Sequence, residues 1–290
     1  MNIPNNKLKP AITYEDQVEL LRSRGLIIED SKKAVDTLKR INYYRLTAYT
    51  LSFKRDNVFF EGTTFNTILR HYEFDSKLRN ILMEIIEHVE IAFRTHIAYL
   101  IGHKYHPLGY QDYTIFRSEE HHKDFIAELE KGLSLSKDPF VTHHHENKEG
   151  IFPVWVAFEV LMFSGLSKLF KNLQVPDQRA IAQEYYGVHH EEISSWLYAL
   201  TVVRNRCAHY NRLFNQSLPI KPRFRHVDKK LEIHENSLFA VIFNLKYLIT
   251  DNTYWRIWVI KLESLIGEYR DVDIRRLGFK EDWYALITVK

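Results

Sequence analysis

The 290-residue sequence has one cysteine and no long hydrophobic run. A single cysteine excludes an intrachain disulfide and suits a reducing cytosol. The longest apolar stretch, residues 152–163, contains Glu159 and is shorter than the roughly 20 residues that a membrane span needs. The first residues lack a basic segment followed by an apolar one. We therefore expect no signal peptide and a cytoplasmic protein without a membrane partner.

Several motifs of common enzymes are also missing. The sequence contains no glycine-rich phosphate loop, no H-E-x-x-H and no G-x-S-x-G. Histidine is abundant, with 15 residues, and occurs in adjacent groups at 121–122, 143–145 and 189–190. Structural zinc sites usually use cysteines or histidines one helical turn apart, whereas adjacent histidines in a loop point apart. We expect no metal and no cofactor, and interpret these histidines as parts of mobile loops.

The composition is that of a globular protein with a mild charge. Hydrophobic residues make up 45% of the chain, which is enough to bury a sizeable core. The net charge is only +3. Any surface for nucleic acid must therefore come from local clustering of basic residues.

Capping and spacing signals predict an almost entirely helical chain. Thr13 is placed to cap a first helix that Gly25 ends. Residues 56–57, Asp-Asn, are typical of a tight turn, within a short hairpin or a loop over residues 54–63. Thr64 precedes the longest helix, which apolar spacing extends to about residue 104. Later helices are predicted at residues 118–135, 154–172, 176–186, 191–210, 237–250 and 253–269.

The most informative segment is a polar run that follows the apolar residues 193–203. Its residues are Arg204, Asn205, Arg206, Cys207, Ala208, His209, Tyr210, Asn211 and Arg212. A helix that only packs into a core has no need of this cluster at its end. Arginine and histidine together can bind a phosphate and transfer protons at neutral pH, as metal-free RNA cleavage requires. The alternative is a helix end whose last carbonyls attract cations.

Helical spacing divides this region into two faces. Trp196, Leu200, Val203 and Cys207 form an apolar stripe, and Thr201, Asn205, His209 and Arg212 form a polar one. Arg204 lies about 140° around the helix from His209. Either the arginine side chain curls round, or the helix loosens near residue 208, or a second chain completes the site. Within one chain, Arg206 is the better-placed partner of His209.

A second polar face lies on the long predicted helix. Glu90 and Arg94 form an i, i+4 pair, and Glu87 shares their face. The pair can be a surface ion pair of small energy, a partly buried pair that fixes helix packing, or a support for Arg204. Glu87 and Glu90 as paired catalytic carboxylates would need a metal, for which the sequence offers no convincing ligands.

Two segments combine basic and aromatic side chains. Tyr44 and Arg45 can stack on bases and hold an RNA backbone, whereas Tyr43 and Tyr49 are expected to pack in the core. The densest basic segment follows closely after the helix that carries residues 204–209, and this closeness in sequence suggests a place beside the candidate site. The candidates for RNA contact are Arg206, Arg212, Lys221, Arg223, Arg225, Lys229 and Lys230, together with Tyr44 and Arg45.

Arg204, Asn205 and His209 resemble the R-x4-H signature of HEPN-domain ribonucleases. Residues 204–215 (RNRCAHYNRLFN) resemble more specifically the Abi-like family, the AbiD/AbiF group of bacterial abortive-infection proteins. Segments that resemble other blocks of that family lie at residues 41–49, 72–79, 87–94 and 277–283. One departure is a lysine after Gly278 and Phe279 where the family has proline. The resemblance implies an all-α fold, with a HEPN-like helical bundle over residues 61–290. A small N-terminal helical module is expected over residues 1–60.

The resemblance also implies a function. It implies a homodimeric, metal-independent endoribonuclease that acts as a toxin in phage defence and, in some members, is controlled by a small structured RNA. Arg204 would neutralise charge on the phosphate, His209 would act as general base or acid, and Asn205 would orient the imidazole. Glu90 and Arg94 would support the site. The alternatives are a non-cleaving RNA-binding regulator of the same fold and a nucleotide-binding module that works with a partner protein.

Overall fold

The computed structural model describes residues 10–289, which are helical apart from loops and one two-stranded hairpin. The predicted all-α class is confirmed. The chain forms two compact units. The first comprises the described residues up to Leu78 together with Leu265–Asp273, and the second comprises Arg79–Ser264 and the described residues from Ile274 onward. The domain boundary near residue 60 stays a prediction, and residues 1–9 of that N-terminal module lie outside the described part.

The first unit contains short helices, the hairpin and the start of the long helix. Its elements are α1 (Tyr14–Ser23), α2 (Ser31–Arg40), α3 (Tyr43–Thr47), β1 (Lys54–Arg55), β2 (Val58–Phe59) and α4 (Phe65–Lys104), which continues into the second unit. Thr13 Oγ1 accepts the Asp16 N–H at 3.1 Å, and Gly25 with φ +91° follows the end of α1. The capping signals therefore predicted both ends of α1.

The second unit is a helical bundle around α10. Its elements after α4 are α5 (Glu119–Leu135), α6 (Pro139–Asn147), α7 (Val154–Ala157), α8 (Phe163–Asn172), α9 (Val175–Ile181), α10 (His190–Ala208), α11 (Leu238–Leu248), α12 (Asn252–Glu268) and α13 (Trp283–Thr288). The last residues of α12, from Leu265, belong to the first unit. A π-helical turn, Ala182–Tyr186, follows α9, and a 3-10 segment, His226–Leu231, precedes α11. The helix α10 packs against α8, α9 and α11. Surrounded in this way, α10 provides a rigid support for the polar residues at its end.

The helix predicted over residues 154–172 is interrupted. A 3-10 turn, Phe158–Val160, follows α7, and Leu161 with ψ 132° is extended before α8 begins. Apolar spacing alone could not reveal this break, because both parts are rich in apolar residues and neither glycine nor proline lies at the junction. The break leaves the Leu161 carbonyl available to a side chain of another helix.

The adjacent histidines lie in helices rather than in mobile loops, so that interpretation was wrong. Residues 121–122 are in α5 and 143–145 are in α6, a helix that the sequence reading missed. His189 caps α10, and His190 is its first residue. His122 is buried and its Nε2 is 2.9 Å from the Tyr110 carbonyl oxygen. The His122 ring is therefore held in the core, whereas His121, His143 and His145 are exposed on their helices.

Candidate active site

The helix α10 presents the motif at its C-terminal end. The predicted apolar stripe is confirmed, since its members are all buried: Trp196, Leu200, Val203 and Cys207. The thiol of Cys207 is buried, as expected of a packed rather than reactive cysteine. Packing of this stripe fixes the rotation of α10 and hence the direction in which the polar residues point.

The end of α10 is a Schellman motif with a tyrosine where glycine is usual. Asn211 N–H donates to Arg206 O at 2.8 Å, and Tyr210 N–H donates to Cys207 O at 3.0 Å. Tyr210 adopts φ +56°, in the left-handed region, between the cap residue His209 and Asn211. A side chain with a Cβ atom is strained there by about 1–2 kcal/mol. The backbone of the motif is therefore held in a turn that its own sequence disfavours.

His209 and Asn205 are both exposed at this end. The His209 N–H donates to the Asn205 carbonyl oxygen at 3.0 Å, so the two residues keep the predicted one-turn spacing. The predicted polar stripe is shorter than expected. Thr201 is buried and donates to Leu197 O at 2.9 Å. Arg212 lies beyond the left-handed turn and not on the helix, because α10 ends before it.

Arg204 is half-buried, and its surroundings include Glu90 of α4. Burial raises the pKa of Glu90 above its usual value, while the positive charges of Arg94 and Arg204 oppose that shift. The Nε atom of Arg204 is buried and makes no hydrogen bond to the described residues. Arg204 thus lies within electrostatic range of the Glu90 carboxylate, and its buried Nε is a donor without a partner within residues 10–289.

The predicted pair of Glu90 and Arg94 is present and mostly buried. The Arg94 Nη2 atom lies 3.1 Å from Glu90 Oε1, and their side chains are 13% and 16% exposed, respectively. Arg94 also donates to the Leu161 carbonyl oxygen at 3.0 Å, and its Nη1 lies 3.6 Å from Glu159 Oε2. Of the three alternatives, a surface pair is therefore excluded. The geometry fits a packing pair that also places a carboxylate near Arg204.

The structure keeps Arg204 and His209 on different sides of one helix. Of the three alternatives, a loosened helix is not seen before His209: α10 is regular to Ala208, and the N–H of the cap residue His209 still donates to the Asn205 carbonyl oxygen. Arg204 and His209 are therefore separated by about 140° around the axis of α10. Two of the three ways to complete the site remain, a curled arginine side chain or a second chain.

The basic segment does not lie beside His209, which corrects the expectation that it would. Arg223 contacts the first turns of α10: its N–H donates to Ser195 Oγ at 2.9 Å, and its Nη1 donates to Glu191 Oε2 at 2.7 Å. Trp196 Nε1 donates to Arg223 O at 2.6 Å. At 1.5 Å per residue, Glu191 is about 27 Å from His209 along the helix. The chain runs back along α10 after the motif, and sequence proximity did not reveal this.

The remaining residues of the basic segment point largely to the surface. Lys221 lies 3.3 Å from Glu235, whereas Lys229 and Lys230 are exposed in the 3-10 segment. Arg225 is half-buried, with its guanidinium 4.7 Å from the centre of the Tyr247 ring. RNA contact by these residues stays a prediction.

The aromatic and basic residues of α3 belong to the first unit. Tyr44 is 77% exposed and meets Tyr43 edge to face at 5.6 Å. Arg45 is also exposed. Tyr49 is buried and its hydroxyl donates to Asp75 Oδ2 at 2.6 Å, which confirms its expected place in the core. Tyr44 and Arg45 are accessible to a ligand of the first unit.

The structure adds residues that the sequence reading missed. Arg79 is buried, and its Nη1 lies 3.5 Å from the carbonyl oxygen of Asn211, two residues after His209. Glu159 and the Leu161 carbonyl complete the surroundings of Arg94. The one sequence signal was a lone glutamate inside the longest apolar run. A backbone carbonyl exposed by a broken helix leaves no signal in the sequence.

Two other classes of site are absent from residues 10–289. No group of three or more histidine, cysteine, aspartate or glutamate residues in this range is arranged to hold a metal ion. No helix in the same range is both long and apolar enough to cross a membrane.

The fold and the site define an all-α protein whose central helix ends in an exposed histidine and a half-buried arginine. The Abi-like protein family model matches residues 36–215, more than half of the chain, and the chain belongs to that family. The match includes the motif up to Asn215 and ends before the basic segment. No curated protein and no solved structure matches the chain. Family membership relates the protein to abortive infection.

Proposed function

We propose that the protein is a metal-independent endoribonuclease of the HEPN type that acts as a toxin in abortive infection. The observation that carries the proposal is the end of α10, where His209 is exposed one turn from Asn205 and Arg204 is half-buried near Glu90. A histidine that solvent and substrate can reach is suited to proton transfer. Arg204, five residues earlier in the chain, supplies the positive charge that a phosphate requires.

The proposed reaction is attack of a ribose 2′-hydroxyl on the adjacent phosphorus. His209 takes the proton of the 2′-hydroxyl or delivers a proton to the leaving 5′-oxygen. Arg204 stabilises the additional negative charge on the phosphate oxygens as the new bond forms. The products are a 2′,3′-cyclic phosphate and a 5′-hydroxyl. Asn205 orients the imidazole, and Arg206 and Arg212 bind flanking phosphates.

We further propose that two chains complete each site. The regular helix separates Arg204 and His209 by about 140°, whereas a two-fold axis can bring one chain's His209 to the partner chain's Arg204. The family resemblance supports the same homodimer, a cytoplasmic location and control by a small structured RNA. Binding of RNA without cleavage is the competing function, and the accessible Tyr44 and Arg45 would serve it equally well.

The test is the chemistry of the RNA ends. Purified protein is incubated with a short, unstructured RNA in saturating EDTA, and the product ends are mapped. We expect a 2′,3′-cyclic phosphate and a 5′-hydroxyl, with the same rate in EDTA as in magnesium. A product with a 3′-hydroxyl and a 5′-phosphate, formed only with a divalent ion, would contradict the proposed mechanism. Tight RNA binding without any cleavage would support the non-cleaving regulator.

A further inference from the structure

A cavity of about 530 Å³ lies beside the first turn of α10, at the end of the helix opposite His209. Its walls come from α9, the π-helical turn, the loop before α10 and the start of the 3-10 segment. The basic side chains that line it are Arg179, His189, His190, Arg225 and His226. A volume of this size is typical of small-molecule sites, and the basic lining favours an anion.

The carboxylates at this end of α10 already have partners. Glu192 Oε2 accepts the His189 N–H at 2.9 Å as part of the helix cap. Glu191 Oε2 accepts a hydrogen bond from Arg223 at 2.7 Å. The Glu191 N–H donates to His189 Nδ1 at 3.4 Å, so the cap also occupies a free amide of the first turn. The positive character of the cavity therefore comes from side chains and not from the helix terminus.

One buried histidine gives the cavity a more specific chemistry. His190 is 8% exposed, and its Nδ1 lies 3.2 Å from Gln178 Oε1. Gln178 Nε2 donates to the Leu173 carbonyl oxygen at 2.7 Å, so its Oε1 is the acceptor and His190 Nδ1–H is the donor. The polar atom that the His190 ring can offer to a ligand is therefore Nε2.

The charges around His190 set its protonation. Burial, and then the nearby His189 and Arg179, hold the pKa of His190 below its usual value, and Arg117 adds to this while Glu191 opposes it. These influences favour the neutral ring, in which Nδ1 carries the proton and Nε2 is an acceptor. The cavity combines cationic donors at its rim with one fixed, buried acceptor.

We infer that this cavity binds a phosphate monoester group that stands next to a sugar hydroxyl. The guanidinium groups of Arg179 and Arg225 are suited to the phosphate oxygens, which accept paired hydrogen bonds from arginine. The Nε2 atom of His190 is suited to accept a hydrogen bond from the hydroxyl. Two sources carry this chemistry, a free nucleoside monophosphate and the 5′-phosphorylated end of an RNA. The inference does not depend on RNA cleavage and holds for a protein that only binds.

The test measures binding to the His209→Ala protein, in which the proposed cleavage cannot consume an RNA probe. Adenosine 5′-monophosphate, adenosine and inorganic phosphate are titrated by calorimetry. We expect adenosine 5′-monophosphate to bind more tightly than adenosine or inorganic phosphate alone. Arg179→Glu should weaken the binding of the monophosphate by about tenfold or more. The matched control is Arg256→Glu, an exposed arginine of α12 with the same charge change, which should alter binding less than about twofold.

A second arm separates the two sources. A hexanucleotide with a 5′-phosphate is compared with the same RNA carrying a 5′-hydroxyl. If the phosphorylated RNA binds more tightly and Arg179→Glu removes the difference, the site takes RNA ends. If Arg179→Glu weakens the binding of adenosine 5′-monophosphate but not that of the phosphorylated hexanucleotide, the site takes free nucleotides.

Two results would overturn the inference. One is no binding of the monophosphate at millimolar concentration, and the other is equal weakening by Arg179→Glu and Arg256→Glu. Both results are independent of the mapping of cleavage ends, so failure of this site and failure of the nuclease can be told apart.

Discussion

The guanidinium of Arg94 donates to the backbone carbonyl oxygen of Leu161 at 3.0 Å, where the chain is extended between α7 and α8. The same guanidinium pairs with Glu90 at 3.1 Å. One side chain of α4 therefore donates hydrogen bonds to two groups. One is the backbone carbonyl between α7 and α8, and the other is the mostly buried carboxylate near Arg204. Removing it would take this donor from both groups and leave Glu90 with only the positive charge of Arg204 nearby.

Replacement of Arg94 by alanine should lower the free energy of unfolding by about 2–4 kcal/mol, because a buried carboxylate and a carbonyl lose their donor. Urea unfolding followed by circular dichroism measures the change. Arg256→Ala, an exposed arginine on α12, is the control and should change stability by less than about 0.5 kcal/mol. Equal effects of the two substitutions would show that the Arg94 contacts contribute little.

Replacement of His209 by alanine should reduce RNA cleavage by about 10²–10⁴-fold, the usual contribution of a general acid or base. Because His209 is exposed, stability should change by less than about 0.5 kcal/mol. Single-turnover cleavage of a short RNA measures the first effect, and RNA binding should persist. His234→Ala, another exposed histidine, is the matched control. Wild-type cleavage by the His209 variant would rule out the proposed role.

A mixture of two inactive variants tests the shared site. His209→Ala chains retain Arg204, and Arg204→Ala chains retain His209. In a two-fold dimer with composite sites, each mixed dimer has one site with both residues intact. After random exchange of equal amounts, about a quarter of the wild-type sites should be restored, since half of the dimers are mixed. Mixed dimers that form, as shown by mass spectrometry, yet remain inactive would argue for sites within single chains.

The basic segment should contribute to RNA binding through phosphate contacts. Replacing Arg223, Arg225, Lys229 and Lys230 by alanine should weaken binding and reduce the salt dependence by about 0.7 for each lost contact with single-stranded RNA. Fluorescence anisotropy at several salt concentrations measures the slope. The control removes the same charge from exposed positions of α2: Lys32, Lys33, Lys39 and Arg40. The same slope in both variants would mean that only total charge matters.

Tyr210 should respond favourably to glycine. At φ +56°, glycine avoids the strain of a Cβ atom, so Tyr210→Gly should raise the free energy of unfolding by up to about 1 kcal/mol. Asn215→Gly is the control, since asparagine at φ +52° tolerates this region better and should gain less. Thermal unfolding measures both. A loss of stability on Tyr210→Gly would mean that contacts of the tyrosine ring outweigh the strain.

Much of the fold could be predicted because local signals set it. Thr13 and Gly25 mark the ends of α1 by capping and by positive φ, and residues 56–57 adopt the positive φ of the predicted hairpin turn. Thr64 Oγ1 accepts the Thr67 N–H at 3.0 Å at the start of the long α4. These elements depend on residues close in sequence, which a single sequence displays.

The parts that could not be predicted depend on distant residues. The break at Leu161 is stabilised by Arg94, 67 positions earlier. The return of Arg223 to the first turns of α10 depends on Ser195 and Glu191, about 30 positions before it. For the candidate site, spacing predicted the pair of Glu90 and Arg94 and the relation of Asn205 to His209. It could not give burial or the left-handed turn at Tyr210, because tyrosine rarely adopts that conformation.

The rigid helix α10 fixes the distance between the two ends of this part of the molecule. The helix is unbroken from His190 to Ala208 and is enclosed by neighbouring helices, so the spacing of about 27 Å between its two ends cannot adjust to a ligand. An RNA that reaches both ends must itself span that length, and a shorter one can occupy only one of them. Substrate length, and not only sequence, would then decide which molecules are retained at both ends of the helix.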